Sequence, residues 1–352
     1  MLPTEPIGSL PRPRYLVDAL AAVGRGERKA SELEPLFDEA TRDSIKGFEE
    51  AGSPIVTDGE QRKPSFATYP IHGSPLVEAG GVTIPFADKH TRQLPKLAKG
   101  PFRYATYAST YVEAARKHAT RPLKQAVISA SALSLLYPAT GIAGYSRDEF
   151  VADLVREAAS DIRRCLDLGV SVQVDFTEGR LAVKLDPSKG LLKSFIELNN
   201  RVLGGFSAAE RQRIGVHTCP GGDWDSTHSA DVDYAQLLPE LFQLEVGSFY
   251  IQLASEKDPE RVLGILGKLA RPGRRVFVGV VDPISKEVES PELVRDRILA
   301  AAKHIDVACL GSTDDCGFSP FADDLSTSRE TAFAKVRARV QGNAQASKKL
   351  GV

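Results

Sequence analysis

Three residues of this chain have side chains that bind zinc-like metal ions, and their spacing allows them to act together. His217 and Cys219 lie two positions apart at the end of a short apolar run. Residues two apart on a β-strand point to the same face, so the imidazole and the thiol can reach one ion. Cys316 follows another apolar run 97 positions later (316 minus 219). One histidine and two cysteines suit zinc and leave its fourth position open. The pattern therefore predicts a Zn²⁺ site at which a substrate thiol can bind and lose its proton.

Several polar residues follow other apolar runs and are candidates for binding a substrate or moving a proton. Asp175 and Glu178 come directly after the fourth predicted strand, and either carboxylate can hold an amino or hydroxyl group or take part in proton transfer. The alternative is an ion pair with Arg180 and a capped loop. Glu60 is open to the same two interpretations. Ser9 brings a hydroxyl and a bare glycine backbone to a strand end, where a simple turn is the alternative.

Short β-type runs alternate with longer helical patterns, which is the arrangement of β/α units. The segments 150–168 and 291–305 repeat apolar residues every three and four positions and predict helices packed on a barrel. Eight strands close a (β/α)₈ TIM barrel, whose active site lies at the carboxyl ends of its strands, and the candidate residues fall there. The predicted strands are 7–9, 55–57, 125–129, 172–175, 214–217, 249–252, 276–281 and 307–311.

The connection after the second predicted strand is unusually long. Residues 61–122 contain many turn residues and short apolar stretches, and we interpret them as a hairpin-bearing insertion over the barrel mouth. No repeat or low-complexity linker divides the rest of the chain. We therefore expect residues 1–352 to form a single barrel domain.

Composition and charge exclude several classes of protein. The 45 Lys and Arg nearly balance the 46 Asp and Glu, so the chain has no basic field for binding nucleic acid. No apolar run approaches the roughly 20 residues of a membrane helix, and the first residues lack the pattern of a signal peptide. We expect a cytoplasmic protein. Its four cysteines are too few for a disulfide scaffold, and Cys165 and Cys309 lie in apolar patterns typical of buried small hydrophobes.

Six short motifs, taken in their order along the chain, carry a family resemblance. They stand at 7–9 (IGS), 58–60 (DGE), the strand ending at 175, 217–219 (HTC), 278–282 (VGVVD) followed by 289–292 (ESPE), and 315–317 (DCG). Together they resemble the catalytic, C-terminal half of cobalamin-independent methionine synthase and its shorter stand-alone relatives. The resemblance covers nearly the whole chain.

The resemblance implies a (β/α)₈ barrel enzyme with zinc at its mouth, which activates the homocysteine sulfur to take a methyl group from a methyl-folate. The expected partners are thus a small-molecule thiol and a methyl donor. The residues that match zinc ligands of the family are His217, Cys219 and Cys316. The residues that match positions holding the amino acid are Ile7, Ser9, Glu60 and Asp175, the last also a candidate for a catalytic role.

The chain departs from the family pattern in three ways. Gln252 stands nearest to the position of the family's fourth zinc ligand, a glutamate, and is a possible zinc ligand here. The family has a histidine shortly after the strand-seven aspartate, where it is thought to help protonate the folate leaving group. In this chain Asp282 is followed by Pro283 and Ile284 instead. The N-terminal half of the long synthase is also absent, as in short relatives that accept methyl groups from other carriers.

Three alternatives to methyl transfer onto homocysteine follow from these departures. The first is a zinc-dependent alkyltransferase that uses another thiol. The second is a metal-free lyase on the related porphyrinogen-decarboxylase barrel, which requires a cationic pocket for several carboxylates. The third is a non-catalytic zinc-binding relative, which binds zinc without turning over any thiol.

Overall fold

The computed structural model describes residues 1–352 and has a curled sheet of seven parallel strands at its centre. The strands are β1 Thr4–Glu5, β2 Val77–Glu78, β3 Thr83–Pro85, β4 Thr91–Gln93, β5 Lys96–Leu97, β6 Lys124–Ile128, β7 Ser171–Asp175, β8 Ile214–Thr218, β9 Gly222–Asp223, β10 Ser226–Thr227, β11 Ser248–Ile251, β12 Arg275–Val281 and β13 Leu310–Asp314. In the central sheet, neighbouring strands follow the order β1-β13-β12-β11-β8-β7-β6.

The central strands consist mainly of β-branched and other apolar residues because both faces of a parallel barrel sheet are covered. In β12 every residue after Arg275 is buried. An extended segment around Val56 takes the eighth position of the barrel. Lys124 N donates to Val56 O (2.9 Å) on the β6 side, and Leu10 N donates to Gly59 O (3.0 Å) beyond β1. These bonds close the (β/α)₈ barrel, and the predicted fold class is confirmed.

Three of the eight predicted strands differ from expectation. The eighth is Leu310–Asp314 and not 307–311, because residues 307–309 form a turn of 3-10 helix before it. The first strand is Thr4–Glu5 and not 7–9, because Gly8 adopts a φ of 143° and turns the chain toward the barrel mouth. The second strand shrinks to a single bridge between Val56 and Leu123. Pro54, which has no N–H to donate, precedes this bridge, and the turn at Gly59 (φ 66°) follows it closely.

Helices cover the outside of the barrel and bury their apolar sides against the sheet in one continuous core. Several begin with a serine cap. Ser146 and Glu149 form a capping box at the helix Arg147–Asp167, and Ser290 caps the helix Pro291–Ala301 directly before its first residue, a proline. None of the helices has the length and apolar character needed to cross a membrane. The helices are α1 Arg14–Gly24, α2 Glu34–Glu50, α3 Ser109–Ala115, α4 Ala130–Ser134, α5 Arg147–Asp167, α6 Glu178–Leu185, α7 Gly190–Leu203, α8 Ala208–Arg211, α9 Tyr234–Leu241, α10 Pro259–Leu269, α11 Pro291–Ala301 and α12 Arg329–Leu350.

The long connection 61–122 contains two antiparallel strand pairs, β2 with β5 and β3 with β4, followed by α3. The β3–β4 hairpin contacts the loop after β8. Ala87 N donates to Thr227 O (3.0 Å), and Arg92 Nη2 donates to Asp223 Oδ1 (3.0 Å). The hairpin is therefore fastened beside the strand end that carries His217. The assignment of residues 1–352 to one domain with this insertion stays a prediction.

Candidate metal centre and substrate cavity

The barrel brings His217, Cys219 and Cys316 together at its mouth. His217 lies on β8, Cys219 follows that strand, and Cys316 follows β13. Their ligand atoms all lie within 4.8 Å of one another, and the two sulfur atoms are 3.3 Å apart. In tetrahedral zinc sites with sulfur and nitrogen ligands, the ligand atoms lie roughly 3.5–4 Å from one another. The ligand chemistry and the spacing therefore fit zinc.

Protons are shared among these three side chains. Burial lowers the pKa of His217, but the neighbouring Cys219 thiolate and the Asp175 carboxylate outweigh it and raise that pKa to about 10. A hydrogen bond from Cys316 lowers the pKa of Cys219 against the opposing effect of burial, and the imidazolium lowers it further. The hydrogen bond to Cys219, together with burial, raises the pKa of Cys316. An imidazolium, a thiolate and a thiol result, so a divalent ion takes the place of two protons.

Asp175 lies behind the imidazole. Its Oδ1 is 3.2 Å from His217 Nδ1 and accepts a hydrogen bond from Gln173 Nε2 (2.8 Å). A carboxylate at Nδ1 fixes the orientation of the ring and leaves Nε2 as the nitrogen that can bind an ion, and Nε2 lies 3.3 Å from Asp315 O. The contact of Asp175 with His217 was not foreseen from the sequence, although the two residues end neighbouring strands in register.

One cavity joins the three ligand residues to all four residues predicted to hold the amino acid. Its walls include Ile7, Ser9, Glu60 and Asp175 beside His217, Cys219 and Cys316. Gly317 makes this packing possible, because a Cβ at that position would lie 2.0 Å from Ser9 Oγ. Glu60 has a buried partner, Lys63, whose Nζ lies 2.8 Å from Glu60 Oε1. Burial raises the pKa of Glu60, and the Lys63 charge opposes that rise.

Residues 2–341 match the model of a family described as the catalytic domain of cobalamin-independent synthase. The chain belongs to this family. Curated relatives named methionine synthase include those of Sulfurisphaera tokodaii, 22% identical over 97% of this chain and 91% of the relative, and of Sulfolobus acidocaldarius, 23% identical over 90% and 86%. Membership of the cobalamin-independent synthase family makes the chain a methyltransferase.

Solved structures share the fold. A B12-independent methionine synthase from a Shewanella species, in complex with selenomethionine, superposes with a TM-score of 0.78 at 21% identity and 99% coverage of both chains. A putative vitamin-B12-independent methionine synthase from Listeria monocytogenes gives a TM-score of 0.70 at 20% identity and 98% coverage of both chains. Both alignments extend over the whole barrel of this synthase-family member.

Gln252 and Ile284, where this synthase-family chain departs from the pattern, lie on the wall of a neighbouring polar cavity. The Gln252 amide is already engaged. Its Oε1 accepts a hydrogen bond from Arg180 Nη2 (2.9 Å), and its Nε2 donates to Ser255 Oγ (2.7 Å). The loop after Gln252 is fastened by Asp315, whose Oδ1 accepts from two of its backbone N–H groups at 2.8 Å.

On the other side of the ligand residues, a second and larger cavity of about 340 Å³ extends under the β3–β4 hairpin. It shares Phe66, Thr177, Gly221 and Gly222 with the cavity that holds the three ligand residues, so the two cavities adjoin. Glu178 lies on its wall. The sequence singled out Glu178 only as one of two carboxylates after a strand, with no indication of which space it borders.

Proposed function

We propose that this chain transfers a methyl or alkyl group to a small thiol, with homocysteine as the first candidate and a methyl-folate or another methyl carrier as the donor. One observation carries the proposal. Three soft metal ligands and the four predicted substrate-binding residues line a single cavity at the barrel mouth of a cobalamin-independent synthase family member.

His217, Cys219 and Cys316 would hold a zinc ion, which when bound lowers the pKa of a substrate thiol to near neutrality. Asp175 orients the His217 ring. The carboxylates of Glu60 and Asp175 face the same cavity and can hold the ammonium group of an amino-acid thiol. The Ser9 hydroxyl adds a polar contact on the opposite wall. These contacts place the sulfur close to the three ligand residues and in line with an incoming carbon atom.

The larger cavity supplies the space for the methyl donor. It adjoins the thiol cavity, and more than half of its lining residues are apolar, so it can exclude water from the reacting carbon. A lyase of the porphyrinogen-decarboxylase type needs free cations to hold several carboxylates. The one arginine on this cavity wall, Arg92, is paired with Asp223 and Asp323, which disfavours that alternative.

Two measurements test the proposal. Metal analysis of protein purified without added zinc is expected to give close to one zinc per chain. Homocysteine, cysteine and coenzyme M are then each tested as acceptors with methyl-folate, methylcobalamin and methyl iodide, and product formation is followed by mass spectrometry. Alkylation of homocysteine supports the proposal. Alkylation of another thiol alone would replace homocysteine, and zinc binding without reaction of any thiol would indicate the non-catalytic alternative.

A further inference from the structure

The larger cavity is apolar except at a few points. The apolar wall is formed mainly by Phe66, Phe86, Leu133, Leu136 and Leu181. Its ionisable residues are Arg92, Glu178, His228 and Asp323. Two of these are paired, because both carboxylate oxygens of Asp323 accept hydrogen bonds from the Arg92 guanidinium at 2.9 Å, and the same guanidinium also binds Asp223. Glu178 and His228 remain as groups that can exchange a proton with a bound molecule.

Glu178 is held by one oxygen only. Its Oε1 accepts hydrogen bonds from the hydroxyls of Ser129 (2.6 Å) and Ser131. Its Oε2 is buried and has no hydrogen-bond partner in the protein. Asn199 lies behind the pair and donates from Nδ2 to Ser131 Oγ (2.6 Å). A buried oxygen without a partner is costly unless a ligand satisfies it.

The hydroxyl network decides where the proton of Glu178 resides. Ser129 Oγ accepts from Ala132 N (3.1 Å) and Ser131 Oγ accepts from Asn199 Nδ2. Each hydroxyl donates to Glu178 Oε1, which is closer to both than the 3.3 Å that separates the two serine oxygens. Oε1 is thereby an acceptor, and a protonated Glu178 carries its hydrogen on Oε2. The acidic hydrogen is thus on the oxygen that the protein leaves free.

The surroundings favour the protonated form of Glu178. Burial raises its pKa to about 7, against the two serine hydrogen bonds, and the nearby Asp175 charge raises it further. Across the cavity, burial lowers the pKa of His228 to about 4, so that imidazole is neutral at pH 7. Arg92 and Asp323 face the same space, and the guanidinium is held between Asp323 and Asp223. Among the four groups, only Glu178 is a proton donor of suitable strength near neutral pH.

We propose that Glu178 is the proton donor to the leaving atom of the methyl or alkyl donor, and that this leaving atom is an uncharged nitrogen or oxygen. The inference rests on the proposed function, since it assumes a thiolate attacking from the adjoining cavity. A leaving group such as a halide or a thioether departs without a proton and would not require an acid at this point. Ile284 cannot supply the proton at the position where the family has a histidine, whereas Glu178 lies on the donor side of the ligand residues.

The thiol loses its proton to solvent, and the thiolate sulfur forms a bond to the carbon of the donor. The bond between that carbon and its nitrogen or oxygen breaks, and the electron pair stays on the heteroatom. That atom takes the hydrogen from Glu178 Oε2, and the carboxylate regains a proton from solvent afterwards. The net reaction converts a thiol and an alkylated amine or oxygen compound into a thioether and the free amine or alcohol.

The test compares leaving groups in the zinc-loaded protein. Homocysteine is alkylated with methyl iodide, whose iodide needs no proton, and with propylene oxide and 5-methyltetrahydrofolate, whose oxygen and nitrogen do. Glu178→Gln keeps the size and the serine contacts but has no acidic hydrogen. We expect the alkylation rate of this variant to fall at least about 100-fold with the nitrogen or oxygen donor that the wild type accepts. Its rate with methyl iodide should stay within about threefold of the wild-type rate. Glu197→Gln, exposed on α7, is the matched control and should leave both rates unchanged.

The pH profile of the wild type provides a second measurement that needs no variant. The ratio of the rate with the nitrogen or oxygen donor to the rate with methyl iodide should fall as pH rises above about 7 and stay flat in Glu178→Gln. A flat wild-type ratio, equal losses with both classes of donor, or an unaffected variant would overturn the inference while the proposed function stands. Reaction of the wild type with methyl iodide alone would also overturn it. Absence of zinc and of any thiol alkylation would refute the proposed function, and the inference with it.

Discussion

Ionisable side chains are buried at both ends of the barrel interior, but they are partnered differently. At the amino-terminal end, Lys124 Nζ lies 3.3 Å from Glu5 Oε2 and 4.0 Å from the centre of the Tyr250 ring. The Tyr250 hydroxyl donates to the same Glu5 carboxylate at 2.6 Å. At the mouth, the ligand atoms of His217 and the two cysteines converge on each other, and Glu178 keeps one oxygen free.

The difference separates a structural use of buried charge from a functional one. Lys124 Nζ makes no hydrogen bond, but the Glu5 charge and the Tyr250 ring compensate its charge within the protein, so this pair needs no ligand to neutralise it. Clustered metal ligands, or a buried carboxyl oxygen without a hydrogen-bond partner, raise the free energy of the unliganded protein. A bound metal ion or substrate satisfies them. The amino-terminal end should therefore govern stability, and the mouth should govern metal binding and reaction.

The largest effect is expected from removing a ligand thiol. In Cys219→Ala or Cys316→Ala only two of the three ligand atoms remain, so zinc content measured after dialysis should fall from about one per chain to a small fraction. Thiol alkylation should fall with it. Cys309→Ala removes a buried thiol outside the group and is the matched control, with zinc content unchanged. Full zinc occupancy in both ligand variants would refute the metal assignment.

A stability effect of similar importance is expected at the other end. Lys124→Met keeps the chain length but leaves the half-buried Glu5 carboxylate without its cation, so the free energy of unfolding should fall by about 3 kcal/mol. Urea denaturation followed by circular dichroism measures the change. Zinc content per folded chain should not change, because Lys124 is remote from the ligand residues. Lys117→Met, at an exposed position, is the control. Loss of zinc without loss of stability in Lys124→Met would contradict the division between the two ends.

Replacing Glu178 should change stability in the opposite direction to replacing Lys124. Glu178→Gln should raise the free energy of unfolding relative to wild type as pH rises. The pKa of Glu178 is about 7 in the folded protein and is ordinarily near 4.5, so the folded state holds a proton that the unfolded chain has lost between these values. The favourable contribution is complete below about pH 4.5 and is lost as pH rises toward 7. Glu178→Gln has no group that ionises at this position, so it does not lose stability in this pH range. Relative to wild type, the variant should therefore gain on the order of 2 kcal/mol in unfolding free energy between pH 5 and pH 8.

Urea denaturation at the two pH values, in the same zinc-loaded state, measures this gain. Comparing the two pH values cancels the fixed effect of the substitution itself. A difference between variant and wild type that does not depend on pH would show that Glu178 ionises with its ordinary pKa and is not poised as an acid.

The sequence was informative wherever a local pattern determined the outcome. The spacing of His217 and Cys219 predicted a shared face, and the register of the barrel then brought Cys316 to them. Ser9 and Glu60 lie in one cavity with these ligand residues, and their role in holding a substrate stays a prediction. What local patterns could not show was partnering across the barrel. The contacts of Asp175 with His217, and of Glu178 with two serines on α4 and the turn before it, depend on how neighbouring β/α units pack. The sequence also did not predict that the second strand would shorten to a single bridge at Val56. Its pairing ends at the turn around Gly59, which depends on tertiary contacts.

The smallest effect is expected at Gln252, where the family has a glutamate ligand. Its amide oxygen and nitrogen are bonded to Arg180 and Ser255, so we expect Gln252→Ala to change zinc affinity less than threefold, as measured by competition with a chromogenic chelator. Asn200→Ala, on the outer surface of α7, is the control. A glutamate at this position is expected to pair with the Arg180 guanidinium rather than bind zinc, so Gln252→Glu should leave the affinity close to wild type as well. A tenfold or larger loss of affinity in Gln252→Ala would make Gln252 a fourth ligand and close the position that the proposed thiol occupies. A tenfold or larger gain in Gln252→Glu would contradict the expected pairing of that carboxylate with Arg180.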